Sequence, residues 1–102
     1  MRINDPTPWG PAETVATIAD GIYFVSTPSH GGFYLKPELN ALVPSDWRAA
    51  SFNGRAQQGW YEEDCDWCMV VLTFPDHFKA EERAQARGIF DGWLAPKLGK
   101  AA

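Results

Sequence analysis

The chain has 102 residues, with 13 acidic and 9 basic side chains, a net charge of −4 and hydrophobic residues at 45% of positions. One domain with a single hydrophobic core fits this length, and the composition excludes a disordered tail, a collagen-like repeat and a disulfide scaffold. The longest uncharged apolar run, residues 68–75, is far shorter than the roughly 20 residues of a membrane-spanning helix. The first residues lack the apolar stretch of a secretory signal. We therefore expect one domain over residues 1–102, in the cytoplasm, with no membrane contact.

The N-terminal part of the chain predicts extended structure. Prolines at positions 6, 8 and 11 lack amide donors and favour extended neighbours, so residues 1–11 are predicted to form an extended arm. Asp20 and Gly21 separate two β-favouring runs, residues 13–18 and 22–27, a pattern typical of a hairpin. The apolar residues 33–35 follow a break at 28–32 and predict a third strand of an antiparallel meander.

The rest of the chain predicts mainly helix. Residues 37–42 and 44–50 each begin with proline, which suits a first helical turn, whereas residues 51–59 resemble a loop. Residues 79–94 predict a helix whose apolar face consists of Ala86, Ile89, Phe90, Trp93 and Leu94. Pro96 and Gly99 are expected to end the fold, leaving residues 97–102 as a frayed tail.

Residues 60–74 have two interpretations. The spacing of Trp67, Val70, Val71 and Phe74 fits one helix face that stops before Pro75, and the β-branched residues within 69–74 also fit a buried strand. We favour the helix, which would place the acidic residues 62–64 in its first turn, where the helix dipole favours negative charge. The predicted fold is therefore α+β: an N-terminal antiparallel β meander of about three strands, packed by two main helices plus short helical turns.

Charge is concentrated in the middle of the sequence. Residues 59–78 contain five acidic side chains and no lysine or arginine. Because the chain has no basic stripe, direct nucleic-acid binding is not expected. An acidic block can instead bind a basic surface of another protein, including one that normally holds nucleic acid, although a solvated helical turn is the plainer alternative. The candidate partner-binding residues are Trp60, Tyr61, Glu62, Glu63, Asp64 and Asp66.

A second candidate site is the loop of Ser29, His30, Gly31 and Gly32. Glycines allow close approach of a ligand to the backbone and histidine titrates near neutral pH, so the loop is suited to hold an anion or to supply a base. The loop lacks the Gly-Lys-Ser/Thr ending of a P-loop, and a simple turn is the alternative. The corresponding hypothesis is a small-ligand or nucleotide-handling domain, with metal-assisted hydrolysis as its enzymatic form.

Cys65 and Cys68 form a C-x-x-C pair with three interpretations: a redox couple, half of a zinc site, or two packed core thiols. Only His30 and His77 are available as histidine ligands, at no recognised zinc-site spacing, and the βαβ context of a thioredoxin-like site is missing. Packed thiols are favoured. No catalytic residue, metal ligand or cofactor is predicted, and the chain is not expected to be an enzyme.

Three stretches carry a family resemblance: Thr-Pro-Trp-Gly-Pro-Ala at 7–12, the run from Ile18 to Gly32, and Gly-Trp-Tyr-Glu-Glu-Asp-Cys-Asp-Trp at 59–67. Over about residues 7–78 the pattern resembles an uncharacterised small domain family of proteobacterial phages, plasmids and integrated elements. Cys68 departs from that pattern, where a small apolar residue is usual, which weakens the metal and redox interpretations.

The resemblance implies no site residues, but it implies a setting in which mobile elements compete with bacterial hosts. Small acidic proteins of that setting are often counter-defence inhibitors such as anti-CRISPR proteins. The first hypothesis is therefore a non-enzymatic inhibitor that binds a host CRISPR-Cas or restriction protein, at its basic nucleic-acid-binding surface, through the acidic block.

Overall fold

The structure, a computed structural model, describes Met1 to Ala101. A two-stranded hairpin comes first, formed by β1 (Pro6–Thr7) and β2 (Gly10–Pro11). The main sheet is antiparallel, in the order β3-β4-β5-β6, and consists of β3 (Thr14–Ala19), β4 (Ile22–Ser26), β5 (Gly31–Leu35) and β6 (Trp60–Glu62).

Helical elements fill the connection between β5 and β6 and the whole C-terminal part. The connection holds α1 (Pro37–Asn40), α2 (Ser45–Ala49) and a 3₁₀ segment (Phe52–Gln58). After β6 come α3 (Trp67–Thr73), a 3₁₀ turn (Pro75–His77), α4 (Ala80–Ile89), a π-helical turn (Phe90–Leu94) and α5 (Ala95–Ala101). In residues 1–101, no helix has both the length and the apolar character needed to cross a membrane.

The predicted α+β class is confirmed, and the number of strands is larger than predicted. The hairpin at Asp20 and Gly21 joins β3 to β4, with Gly21 at a φ of +87°, and β5 is the third strand. The fourth strand, β6, comes from residues that the favoured interpretation assigned to a helix. It pairs with β5 through Gly32 and Glu62. Such distant pairing overrides local helical propensity.

The helix interpretation is correct for Trp67–Thr73, and the alternative strand over residues 69–74 is wrong. The helix begins later than expected, so residues 63–66 form a turn before α3 rather than its first turn. Residues 68–71 are all at most 1% exposed, because α3 packs against β5 and β6 as well as α4. A helix covered on several sides needs no polar stripe, which explains its unbroken apolar run.

The core lies between one face of the sheet and the helices. The sheet contributes Ile22, Phe33, Leu35 and Tyr61. The predicted apolar face of the helix over 79–94 is confirmed, since Ala86 and Leu94 are fully buried and the other three residues are partly buried against the core.

The predicted extended arm folds back as a hairpin on the outer face of the sheet. Thr7 Oγ1 donates to the Gly10 carbonyl oxygen at 2.6 Å, and Gly10 adopts a φ of +115°. Trp9 packs directly over Gly32, where an added Cβ would lie 2.6 Å from Trp9 Cη2. Val25, on the same face, is fully buried. Both faces of the sheet are therefore partly covered.

The helical region continues past Pro96, which was expected to end it. The π-helical turn directly precedes α5, and this wider turn suits a proline that would clash with the Gly92 carbonyl in a regular helix. Residues 97–101, assigned by sequence to a frayed tail, lie in α5, and Ala102 lies outside the described residues. The predicted loop over residues 51–59 is largely the 3₁₀ segment, broken by left-handed Asn53 and Gly54.

Candidate functional site

A groove with a volume of about 750 Å³ opens beside the N-terminal hairpin. We name it groove A. Its walls come from the hairpin, the turn before β5, the 3₁₀ segment, the turn before α3 and the C-terminal helical region. The lining residues are Pro8, Trp9, His30, Phe52, Arg55, Glu62, Asp64, Cys65 and Trp93.

Phe52 is the most exposed aromatic side chain in this wall, at 58%. Its backbone is nevertheless fixed, because its N–H donates to both carboxylate oxygens of Asp66, at 3.0 and 3.3 Å. The preceding Ser51 is buried, and its hydroxyl accepts the Ala56 N–H at 3.0 Å. An apolar ring held in solvent by a fixed backbone is typical of an interface anchor. Sequence reasoning missed Phe52, although it directly precedes the turn-forming pair Asn53-Gly54.

The aromatic side chains of the outer sheet face form a row that ends at groove A. Trp9 meets Trp60 edge-on with ring centroids 5.8 Å apart, and Trp60 contacts Tyr34 at 4.6 Å. Tyr34 in turn stacks on Tyr23 at 6.5 Å. Trp60, a predicted contact residue, is half-buried in this row, so Trp9 is the member that reaches the groove. Lys97 Nζ lies 4.2 Å from the ring centroid of Trp93, another lining residue of groove A.

The acidic block, predicted as one surface, is distributed over different environments. Asp64 is exposed in groove A, whereas Glu63 is exposed in a second groove described below. The Glu62 carboxylate accepts the backbone N–H groups of Asp64, Cys65 and Asp66 at 2.7, 2.6 and 2.9 Å. The Glu62 carboxylate therefore stabilises the turn before α3 through intramolecular hydrogen bonds.

Asp66 is fully buried, although the sequence placed it on the acidic surface. Burial raises the pKa of its carboxyl group to about 6; the hydrogen bond from Phe52 opposes this rise, as do Lys97 and Arg55, whereas Glu62 adds to it. The reason for the difference is the shortened helix: residue 66 lies in the turn that packs against the 3₁₀ segment. Asp66 is thus inaccessible to a partner in this structure.

Tyr61 is also fully buried, in contrast to its predicted contact role. It lies in β6 on the face that meets the helices. Its hydroxyl donates to Asn40 Oδ1 at 2.6 Å, and Asn40 Nδ2 donates to the Ala56 carbonyl at 2.8 Å. Burial raises the pKa of the Tyr61 phenol above its ordinary value. Tyr61 therefore links β6, α1 and the 3₁₀ segment.

The candidate ligand loop is a turn followed by strand. Thr27 N donates to the His30 carbonyl at 2.7 Å, and His30 N donates to Thr27 Oγ1 at 3.1 Å. Gly31 and Gly32 are buried strand residues of β5 rather than an open anion cradle. Ser29 and His30 are exposed, and His30 lines groove A together with Asp64.

Both cysteines are free thiols. Cys68 is fully buried in α3, and burial raises its pKa to about 12. Cys65 is half-buried at groove A, and its pKa is raised by burial and by the neighbouring carboxylates of Glu62 and Asp64. Raised pKa values disfavour the thiolate needed for nucleophilic chemistry. Over residues 1–101, no three His, Cys, Asp or Glu side chains are grouped to hold a metal ion.

A second groove, with a volume of about 430 Å³, lies on the helix-facing side of the sheet. We name it groove B. Its floor is apolar, and carboxylates and a histidine stand in its wall. The lining residues are Ala16, Ile18, Phe24, Phe33, Glu63, Trp67, His77, Phe78 and Glu82.

These features define a small α+β domain: a four-stranded antiparallel sheet with helices on one face and a hairpin on the other. The chain belongs to the family described as Domain of unknown function (DUF7007), whose model matches residues 2–98. This membership agrees with the resemblance to an uncharacterised small domain family and extends it toward both ends. No curated protein and no solved structure matches the chain. The function is therefore argued from the site itself.

Proposed function

We propose that the chain is a non-enzymatic inhibitor, encoded by a mobile genetic element, that binds a host defence protein in the bacterial cytoplasm through groove A. The observation that supports binding is Phe52, which is 58% exposed on a fixed backbone. Trp9 and Trp93 line the same groove and enlarge the apolar contact. Aromatic anchors of this kind supply much of the binding energy of protein interfaces.

Groove A contains the carboxylates of Glu62 and Asp64 and one arginine, Arg55, and the net charge of −4 of the whole chain favours a basic partner surface. Asp64 is exposed there, and residues 59–78 contain no lysine or arginine. The basic surface with which a CRISPR-Cas or restriction protein holds nucleic acid offers complementary lysines and arginines. An inhibitor that covers such a surface needs no active site. The mobile-element setting comes from the family resemblance, and groove A supplies the contact chemistry.

The test is affinity capture from nuclease-treated lysates of a proteobacterial host with active CRISPR and restriction systems. Three baits are compared: the unchanged chain, Phe52→Ser, and the matched control Leu42→Ser. Leu42 is 63% exposed and does not line groove A. We expect a nucleic-acid-binding defence subunit on the unchanged chain and on the control, with its loss on Phe52→Ser.

The captured subunit is then purified, and its nucleic-acid binding is measured with and without the chain. We expect the unchanged chain to reduce that binding and Asp64→Asn to reduce it less. Glu62 and Asp66 are unsuitable positions for this test, because the Glu62 carboxylate holds the turn before α3 and Asp66 is buried. Retention that does not depend on Phe52, or a subunit whose nucleic-acid binding is unchanged, would contradict the proposal.

A second candidate function is ligand or nucleotide handling in groove A, including metal-assisted hydrolysis. It is favoured by one observation: His30, Arg55 and Asp64 line one groove. The test is thermal denaturation with inorganic phosphate, nucleotides and divalent cations, for the unchanged chain and His30→Ala. A saturable rise in Tm that His30→Ala removes would favour this function over the inhibitor, and no rise with any of these ligands would count against it.

A further inference from the structure

In residues 1–101, no strand pairs with the outer edge of β3 in the main sheet. β3 has β4 as its strand neighbour, and over Thr14–Thr17 the pairing is regular, with an irregularity between Thr17 and Ala19. Its sequence, Thr-Val-Ala-Thr-Ile-Ala, contains no lysine, proline or other residue that commonly blocks pairing at a sheet edge. The outward N–H and C=O groups of β3 are therefore available to a further strand.

Groove B opens beside this edge. Ala16 and Ile18 of β3 line it, and Ala16 is exposed. Ala16 pairs with Phe24, and Phe24 pairs with Phe33, so these residues form one row across the sheet toward the groove floor. Because side chains alternate along a strand, a residue added opposite Ala16 would extend this row on the same face.

The charges around groove B identify the kind of strand that fits. Glu63 and Glu82 stand in its wall. In the part of the chain that the structure describes, the salt bridge found joins Lys36 to Asp20, and neither glutamate is in an ion pair. Glu82 Oε1 accepts the Lys79 N–H at 2.9 Å, and both carboxylates would attract a lysine or arginine on the incoming strand. A second copy of the chain would instead bring an uncharged β3 and another net charge of −4.

We propose that the β3 edge and groove B form a strand-addition site for an extended segment of a partner protein. The segment places a large apolar side chain opposite Ala16 and a basic side chain beside Glu63 or Glu82. Backbone hydrogen bonds to β3 give affinity, and groove B selects the side chains. This site lies apart from Phe52 and groove A, so it does not depend on the function proposed above.

The probe is a displayed library of random peptides of about eight residues, a length that spans β3. The best peptide is synthesised with a fluorescent label and titrated with the protein. We expect enriched peptides to combine a large apolar residue with lysine or arginine. N-methylation of those alternate amides that face β3 is expected to abolish binding, whereas N-methylation of the intervening amides is tolerated.

Two matched pairs of variants locate the site. Ala16→Trp fills groove B and is expected to weaken peptide binding about tenfold or more, whereas Thr17→Trp, on the opposite face of the same strand, has a small effect. Glu63→Gln is expected to weaken a basic peptide roughly threefold, with exposed Glu81→Gln as its control.

Three results would overturn the proposal. The first is a library that yields no enriched peptide. The second is a peptide that tolerates N-methylation at every amide or binds Ala16→Trp and Thr17→Trp equally. The third is a dimer in sedimentation that Ala16→Trp dissociates, which would assign the β3 edge to a second copy of the chain.

Discussion

Asp66 has a different role in the structure from the one that the sequence predicted. It belongs to a run of acidic residues, yet it is fully buried and its carboxylate accepts the Phe52 N–H. Through this bond it fixes the backbone of the most exposed aromatic residue of groove A. Asp66 is therefore a positioning residue, and its ionisation has consequences for stability.

We expect Asp66 to make the folded state less stable as the pH rises. Its folded pKa of about 6 exceeds the ordinary value of 3.8, so the folded protein holds the proton more tightly. The resulting stabilisation is fully present below pH 3.8 and is lost as the pH rises through about 6. The free energy of unfolding contributed by Asp66 falls by roughly 3 kcal/mol across this window.

Asp66→Asn should remove this pH dependence and raise stability at pH 7, because the amide oxygen can still accept the Phe52 N–H. Urea unfolding of the unchanged chain and the variant at pH 4, 5, 6 and 7 measures the difference. Exposed Asp64→Asn is the control. Equal pH slopes for the unchanged chain and Asp66→Asn would contradict the assignment.

Glu62 gives a second prediction at the scale of single residues. Its carboxylate accepts three backbone N–H groups, and hydrogen bonds to a charged acceptor are stronger than neutral ones. Glu62→Gln is expected to lower the free energy of unfolding by about 1–2 kcal/mol. Denaturant unfolding checks this, with Glu63→Gln as the control. An equal effect of the two changes would contradict the role of the Glu62 carboxylate in stabilising the turn before α3.

At the scale of elements, the N-terminal hairpin packs on β5 at Gly32, a residue without a side chain. Gly32 lies under Trp9, where an added Cβ would be 2.6 Å from Trp9 Cη2. An added Cβ at Gly32 would also lie 2.3 Å from the Tyr61 carbonyl oxygen, so Gly32 allows close packing of β5 against both β6 and the hairpin.

Gly32→Ala should crowd both the Tyr61 carbonyl oxygen and Trp9 and lower the free energy of unfolding by about 1–3 kcal/mol, as overpacking typically does. Gly88→Ala is the matched control, because Gly88 lies in α4 with open space around it. The control is expected to stabilise the chain by about 0.5–1 kcal/mol through helix propensity. Both are measured by thermal unfolding with tryptophan fluorescence, and equal stability changes would contradict the packing role of Gly32.

At the scale of the whole molecule, the fold separates two grooves. The turn before α3 carries Asp64 toward groove A and Glu63 toward groove B. Phe52 and Ala16 mark the two surfaces and line different grooves. A single acidic stretch therefore contributes to the walls of two different grooves.

We expect changes at the two surfaces to act independently, as is usual for sites without shared partners. Phe52→Ser should remove the captured defence subunit while leaving affinity for the strand peptide within about twofold. Ala16→Trp should do the reverse. Titrating the labelled peptide into both single variants and the double variant checks this, and a strong effect of Phe52→Ser on peptide affinity would show that the grooves are coupled.

The sequence by itself determined the features that depend on near neighbours. The turn propensity of Asp20-Gly21 is local and predicted the hairpin between β3 and β4, and helical spacing predicted the apolar face that includes Ala86 and Leu94. The same local patterns supported the α+β class. The bounds of helices were less well predicted, because the ends of α3 and the continuation through Pro96 depend on packing.

Only the tertiary structure decided the roles of the candidate site residues. β6 exists because Trp60–Glu62 pairs with distant β5, and that pairing turns Tyr61 inward. It also places Glu62 at the start of the turn that its carboxylate organises, while Asp66 is buried against the 3₁₀ segment. The physical reason is common to these cases: burial and hydrogen-bond partners come from residues far away in sequence, which local propensity does not encode.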